Sequence, residues 1–101
     1  MSGATISLNA RGDLVICGEL GFATASSLLE QGAKFMSGQG ELILDLGDVT
    51  GTDSAGLALM LEWLDSCNAK GKRLFFRNVP ESLLEIARVS NLAGLLPLVE
   101  E

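Results

Sequence analysis

The stretch Glu41-Leu-Ile-Leu-Asp-Leu-Gly-Asp-Val-Thr-Gly-Thr-Asp-Ser-Ala-Gly-Leu-Ala-Leu-Met-Leu-Glu-Trp63 decides the fold. It reads as strand, loop and helix. Leu42, Ile43, Leu44 and Leu46 form a nearly continuous apolar run, the pattern of a strand covered on both faces. Residues 47–53 are rich in Gly, Asp and Thr, which turn a chain. A helix then starts at Asp53-Ser54, where either side chain can accept a hydrogen bond from the free N–H groups of the first turn. Ser54 places a hydroxyl at the positive end of a helix dipole, where negative charge is tolerated.

The helix is expected to run from Ser54 to about Ala69. Leu57, Met60, Leu61, Leu64 and Cys67 recur at helical spacing and form a core stripe, with Ala58, Glu62, Asp65 and Ala69 opposite. Leu59 and Trp63 fall on the flank of that stripe, about 100° from its centre on a 3.6-residue wheel, and Ala55 shares the flank. The two large residues are either the edge of the core or anchors in a protein interface, where tryptophan is enriched. Lys70-Gly71-Lys72 closes the helix with a glycine and cations.

Upstream, Thr5-Ile6-Ser7-Leu8 alternates polar and apolar, Arg11-Gly12-Asp13 turns, and Leu14-Val15-Ile16-Cys17 gives a second strand, so the chain opens with a hairpin. A helix capped by Thr24 or Ser26 should follow, reaching about Phe35, with Gly38 and Gly40 ending it. Downstream, Leu74-Phe75-Phe76 is a further strand, Pro80 stands in the first turn of a last helix, Asn91-Leu92 ends that helix, and Leu95-Leu96-Pro97 is a short apolar tail. A hairpin followed by alternating helices and strands implies a small α/β sandwich, with antiparallel and parallel strands in one sheet.

Length and composition exclude several functions. A chain of 101 residues, nearly half apolar, suits a single domain with a modest core over residues 1–101. Seven basic against thirteen acidic residues leave a formal charge of −6, which argues against a surface for nucleic acid or anionic membrane. The absence of histidine removes Ser-His-Asp and Cys-His catalysis and the usual zinc ligands. No GxxxxGK[ST] loop is present, and no cofactor is expected. Asp45, Asp48 and Asp53 are close in sequence, but turn and cap chemistry accounts for them better than Mg²⁺ binding. Cys17 and Cys67, outside any CxxC pair, read as small buried hydrophobes in a reducing compartment. The N-terminus lacks a basic segment followed by an apolar run, and no apolar run approaches the roughly 20 residues that span a bilayer. The expectation is a cytoplasmic protein without direct membrane insertion.

The run Asp45-Leu46-x-x-Val49-x-x-x-Asp53-Ser54-Ala55-Gly56-Leu57-Ala58-Leu59-Met60-Leu61 resembles the STAS domain family, and the resemblance extends from Gly18-Glu19-Leu20 to Leu96-Pro97. Two branches of the family come into question, anti-sigma factor antagonists and MlaB-like subunits of lipid-transporting ABC systems. Leu57-Ala58-Leu59-Met60-Leu61 is similar to the Gly-Leu-Ala-Leu-Leu-Leu run of MlaB-like proteins, and Leu84-x-x-Ala87-x-x-x-Asn91-Leu92 with Leu96-Pro97 resembles their C-terminal helix. The resemblance implies the STAS fold: a small mixed sheet, N-terminal hairpin plus parallel strands, with helices packed on it. It further implies a non-catalytic subunit that binds an MlaF-like ATPase in complex with an MlaE-like permease, peripheral to the inner membrane of a Gram-negative bacterium, in a system maintaining outer-membrane lipid asymmetry. On this reading Thr52, Asp53, Ser54, Ala55, Leu59, Glu62 and Trp63 contact the partner. In the antagonists the serine of the matching Asp-Ser motif is phosphorylated by the partner kinase, which makes Ser54 the candidate phosphorylation site. MlaB-like proteins commonly carry threonine there and glycine next, where this chain has Ser54 and Ala55.

Overall fold

A computed structural model describes residues 3–99. Strands β1 (Ala4–Leu8) and β2 (Leu14–Leu20) are followed by helix α1 (Ala25–Ala33), strand β3 (Gly40–Thr52), helix α2 (Ser54–Ala69), strand β4 (Lys72–Arg77), helix α3 (Glu81–Val89) and a 3₁₀ turn at Ala93–Leu95. The sheet order is β1-β2-β3-β4. The hairpin pair β1–β2 is antiparallel, and β2–β3 and β3–β4 are parallel. The expected mixed sheet with an N-terminal hairpin is therefore present. Asn9 shapes the hairpin turn, its side-chain oxygen accepting the backbone N–H groups of Arg11 and Asp13. Asp13 is itself buried and pairs with Arg77 at 2.7 Å, tying the start of β2 to the end of β4.

The helices cover one face of the sheet. Ala4, Ile6, Leu14, Ile16, Leu42, Leu44, Leu46, Leu74 and Phe76 point into that core, with Leu28, Met60, Trp63 and Leu83 closing it from the helices. The apolar run of β3 is not covered on both faces, as its composition suggested: Leu42, Leu44 and Leu46 are buried, whereas Ile43 and Asp45 between them are only half-buried on the open face. Phe75 of β4 lies beside Ile43 in register, and these neighbours half-shield each other there.

Residues 47–52 are strand rather than loop, and β3 runs thirteen residues to Thr52. Their Gly, Asp and Thr content reads as a turn, yet pairing with β2 continues through Cys17–Asp48, Gly18–Val49, Glu19–Gly51 and Leu20–Thr52. Two register shifts in this ladder absorb the mismatch. The first lies between Val15 and Cys17, and the extra residue falls on β3. Cys17 shares the outward face of β2 with Val15 and Glu19 and is exposed, its thiol 3.8 Å from the Asp48 carboxylate, rather than buried as expected. Cys67 is buried as expected, and burial, opposed by Lys72 and Lys70, pushes its thiol pKa up.

Helix α1 ends at Ala33, with Lys34 as its cap residue, two residues short of Phe35. Thr24 stands at its N-cap, but its side chain does not cap. The hydroxyl donates to the Glu19 carbonyl at 2.7 Å and accepts from Gly21 N–H, stitching the β2–α1 loop together. Helix α3 ends where the sequence placed it. Asn91, at φ 62°, takes the left-handed conformation, and the N–H groups of Asn91 and Leu92 close back on Arg88 and Ala87. The tail then returns along β4: Phe76 N–H donates to Pro97, and Val99 N–H donates to Phe76.

Candidate functional site

The edge of the sheet where β2 and β3 end is organised by Asp53. Its extended backbone (φ −149°) makes it the N-cap of α2, and one carboxylate oxygen accepts the N–H groups of Ala55 at 2.9 Å and Gly56 at 3.3 Å. The other oxygen accepts Phe22 N–H, from the β2–α1 loop, at 3.1 Å. One side chain thus joins the start of α2 to the loop before α1. These bonds hold the Asp53 carboxyl below the usual range: the Phe22 N–H acts most strongly, burial opposes it, and the Ala55 and Gly56 N–H groups add to the lowering. Gly56 completes the joint, because a Cβ there would collide with the Leu20 carbonyl oxygen. Only glycine lets the first turn of α2 approach the end of β2 this closely.

Of the two candidate caps, Asp53 takes the role and Ser54 does not. Ser54 is the first helical residue and is exposed. Ala55 and Thr52 are half-buried beside it, and Glu62 is exposed two turns along α2. The structure therefore brings Thr52, Asp53, Ser54 and Ala55 together at one edge, with Glu62 farther down the same helix.

Leu59 and Trp63 are a correction. They are 5% and 1% exposed and belong to the core, so neither is a surface anchor. The wheel placed them beside the main stripe, but α2 is packed by α1 and α3 as well as by the sheet, and its buried arc is correspondingly wider. A Cβ on Gly32 of α1 would lie 2.8 Å from Trp63 Nε1, so the absence of a side chain at Gly32 makes room for the indole. That indole nitrogen has no hydrogen-bond partner among the described residues. Conversely Leu61 and Leu64, assigned to the core stripe, are only half-buried at its rim.

Sequence reasoning missed Phe22. It is 86% exposed, directly beside the motif loop. A lone aromatic in the polar-to-small segment Gly21-Phe22-Ala23-Thr24 was the available signal, since it fits no apolar period.

A mixed sheet with helices on one face, and a capped helix start where two parallel strands end, is the architecture of a STAS domain. The family model described as "Mlab, STAS domain" matches residues 5–100, and the chain belongs to that family. No curated protein matches the sequence closely enough to count as a relative. Solved structures share the fold at low identity. The anti-sigma factor antagonist SpoIIAA in its unphosphorylated form is similar at 17% identity and TM-score 0.68, covering 97% of this chain and 89% of that one. A putative anti-sigma factor antagonist from Thermotoga maritima is similar at 15% identity and TM-score 0.72, covering 97% and 86%. A murine solute carrier 26 family anion transporter contains the same fold at 14% identity and TM-score 0.62, over 93% of this chain but 18% of its own. The domain thus shares its fold with these anti-sigma factor antagonists and with a part of the anion transporter. No helix among the described residues is long and apolar enough to cross a membrane.

Proposed function

We propose that this chain is an MlaB-like STAS subunit, acting without catalysis of its own. It binds the MlaF-like cytoplasmic ATPase of a phospholipid ABC transporter and, with an MlaE-like permease, holds it in an assembly-competent state beneath the inner membrane. Transport by that complex would maintain outer-membrane lipid asymmetry. The observation carrying this reading is the match of residues 5–100 to the Mlab family model. The edge formed by Thr52, Asp53, Ser54 and Ala55 supports it, because small side chains there, half-buried at Thr52 and Ala55 and exposed at Asp53 and Ser54, leave room for a partner's backbone to approach. The test is co-purification of the chain with the ATPase subunit of its organism's phospholipid transporter. Stable association, with loss of ATPase solubility or transport when the gene is deleted, is the expected outcome. An ATPase that assembles and transports equally well without this chain would reject the reading.

The second reading is a phosphorylation-switched anti-sigma factor antagonist. The exposed position of Ser54 at the start of α2 favours it, since a kinase could reach the hydroxyl. Genes for a kinase-like ATPase and a sigma factor beside this one, and phosphate found on Ser54 by mass spectrometry, would select it over the transporter.

A further inference from the structure

Phe22 is the large side chain at the motif edge that the fold leaves in water. At 86% exposure it contributes almost nothing to the core, yet its backbone is held: Phe22 N–H is bonded to the motif carboxylate Asp53, and the adjoining turn is fixed by Thr24 hydrogen bonds to Glu19 and Gly21. An aromatic ring on a backbone fixed in this way loses less conformational freedom on binding than one on a loose loop. Exposed, preorganised aromatic side chains are also the residues that dominate interface energetics.

The charge around it has one sign. Residues 12–33 and 35–69 contain no lysine or arginine. They supply the exposed carboxylates Glu19, Asp48, Asp53 and Glu62, whereas Lys34, Lys70, Lys72 and Arg73 lie where α1 and α2 end and β4 begins, at the opposite edge. Asp53 is held in its ionised form at the base of the Phe22 loop.

We propose that Phe22 is the anchor with which this edge docks, inserting into an apolar pocket rimmed by Lys or Arg on the partner protein, and that Asp53 is the positioning residue that presents it. The proposal rests on the reading that the partner is the transporter ATPase. Acidic Glu19 and Asp53 steer the basic rim and Phe22 fills the pocket, so the ring controls dissociation and the carboxylates control association.

The experiment measures binding of the intact chain to the purified ATPase subunit by surface plasmon resonance at several salt concentrations, with melting curves for every variant. Phe22→Ala should melt like the wild type and bind at least about tenfold more weakly, mainly through faster dissociation. Glu19→Gln should slow association and flatten its salt dependence, leaving dissociation unchanged. Val89→Ala, at the other highly exposed apolar residue (89%), should bind like the wild type. Wild-type affinity for Phe22→Ala, or an equal loss for Val89→Ala, overturns the proposal and leaves the transporter reading standing. A wild-type chain that does not bind the ATPase overturns both.

Discussion

Phe22 and Trp63 are two aromatic residues with opposite fates: one is 86% exposed, the other 1%. Trp63 sits on a regular helix, off the main apolar stripe by wheel geometry, and looks like a surface anchor. Phe22 sits in a loop with no periodicity and looks like nothing in particular. The difference lies in what packs beside each residue. Helix α1 closes over Trp63 because Gly32 offers no side chain to hold the two helices apart. Phe22 is tied through its backbone N–H to Asp53, and its side chain stays exposed at the sheet edge. The exposed part of the family motif thus lies at the start of α2, not along the Leu59–Trp63 flank of the helix.

The largest effect should come from breaking the buried member of the pair. Leu59→Asp would put a carboxylate into the hydrophobic core cluster, a change that leaves the domain unfolded or forces protonation. Trp63→Ala should cost about 3–5 kcal/mol, as large-to-small core substitutions do. Phe22→Ala, by contrast, should stay within about 0.5 kcal/mol of the wild type. Urea unfolding followed by circular dichroism checks all three. A Leu59→Asp protein that unfolds like the wild type would contradict the packing described above. Trp63 fluorescence accordingly reports folding rather than partner contact.

Much of the fold could be read from the chain, and the errors have local causes. The bounds of helix α2 are legible because Asp53 caps its start and Gly71, at φ 78°, follows its end. The same chemistry misled at residues 47–52. Gly47, Asp48, Thr50 and Gly51 have turn composition, yet ladder pairing with β2 keeps them extended. No single-strand pattern reveals that pairing, whereas the outward place of Cys17 follows from the plain alternation of β2. At the candidate site the motif residues were legible because cap chemistry is local. Phe22 was not, because its tie to Asp53 spans 31 residues of sequence.

The next effect concerns that tie. The Asp53 carboxyl titrates below its ordinary range in the folded chain, chiefly through Phe22 N–H. A depressed folded-state pKa stabilises the fold at pH values above the unfolded-state value, near 4, and that stabilisation disappears as pH falls through the folded-state value. Asp53→Asn keeps an acceptor for capping but loses the charge. Its melting temperature should therefore fall below the wild type's at pH 7 and converge on it under acid conditions. Hydrogen exchange at the Phe22 amide should quicken in the same variant at pH 7. A constant difference in melting temperature at all pH values would mean that the carboxylate charge does not hold the joint.

The smallest effect on the fold belongs to Ser54, although its effect on function should be large. Its hydroxyl was a candidate cap, but Asp53 makes both capping bonds. Ser54→Ala should therefore leave stability within about 0.5 kcal/mol of the wild type. Ser54→Asp adds a carboxylate to the first turn of α2, where the helix dipole favours negative charge, so the fold should hold or gain slightly. Binding separates the two readings of the site. If small size is what the partner requires, Ser54→Ala and Ser54→Thr keep binding and transport, whereas Ser54→Arg, folded by circular dichroism, fails to pull down the ATPase. If a kinase switches the domain, Ser54→Ala instead stays bound permanently and loses regulation, because no phosphate, at about −1.5 to −2 charges, can be added to part the surfaces. A folded Ser54→Arg chain that pulls down the ATPase at wild-type strength would place the interface away from this edge, and would remove Phe22 from it as well.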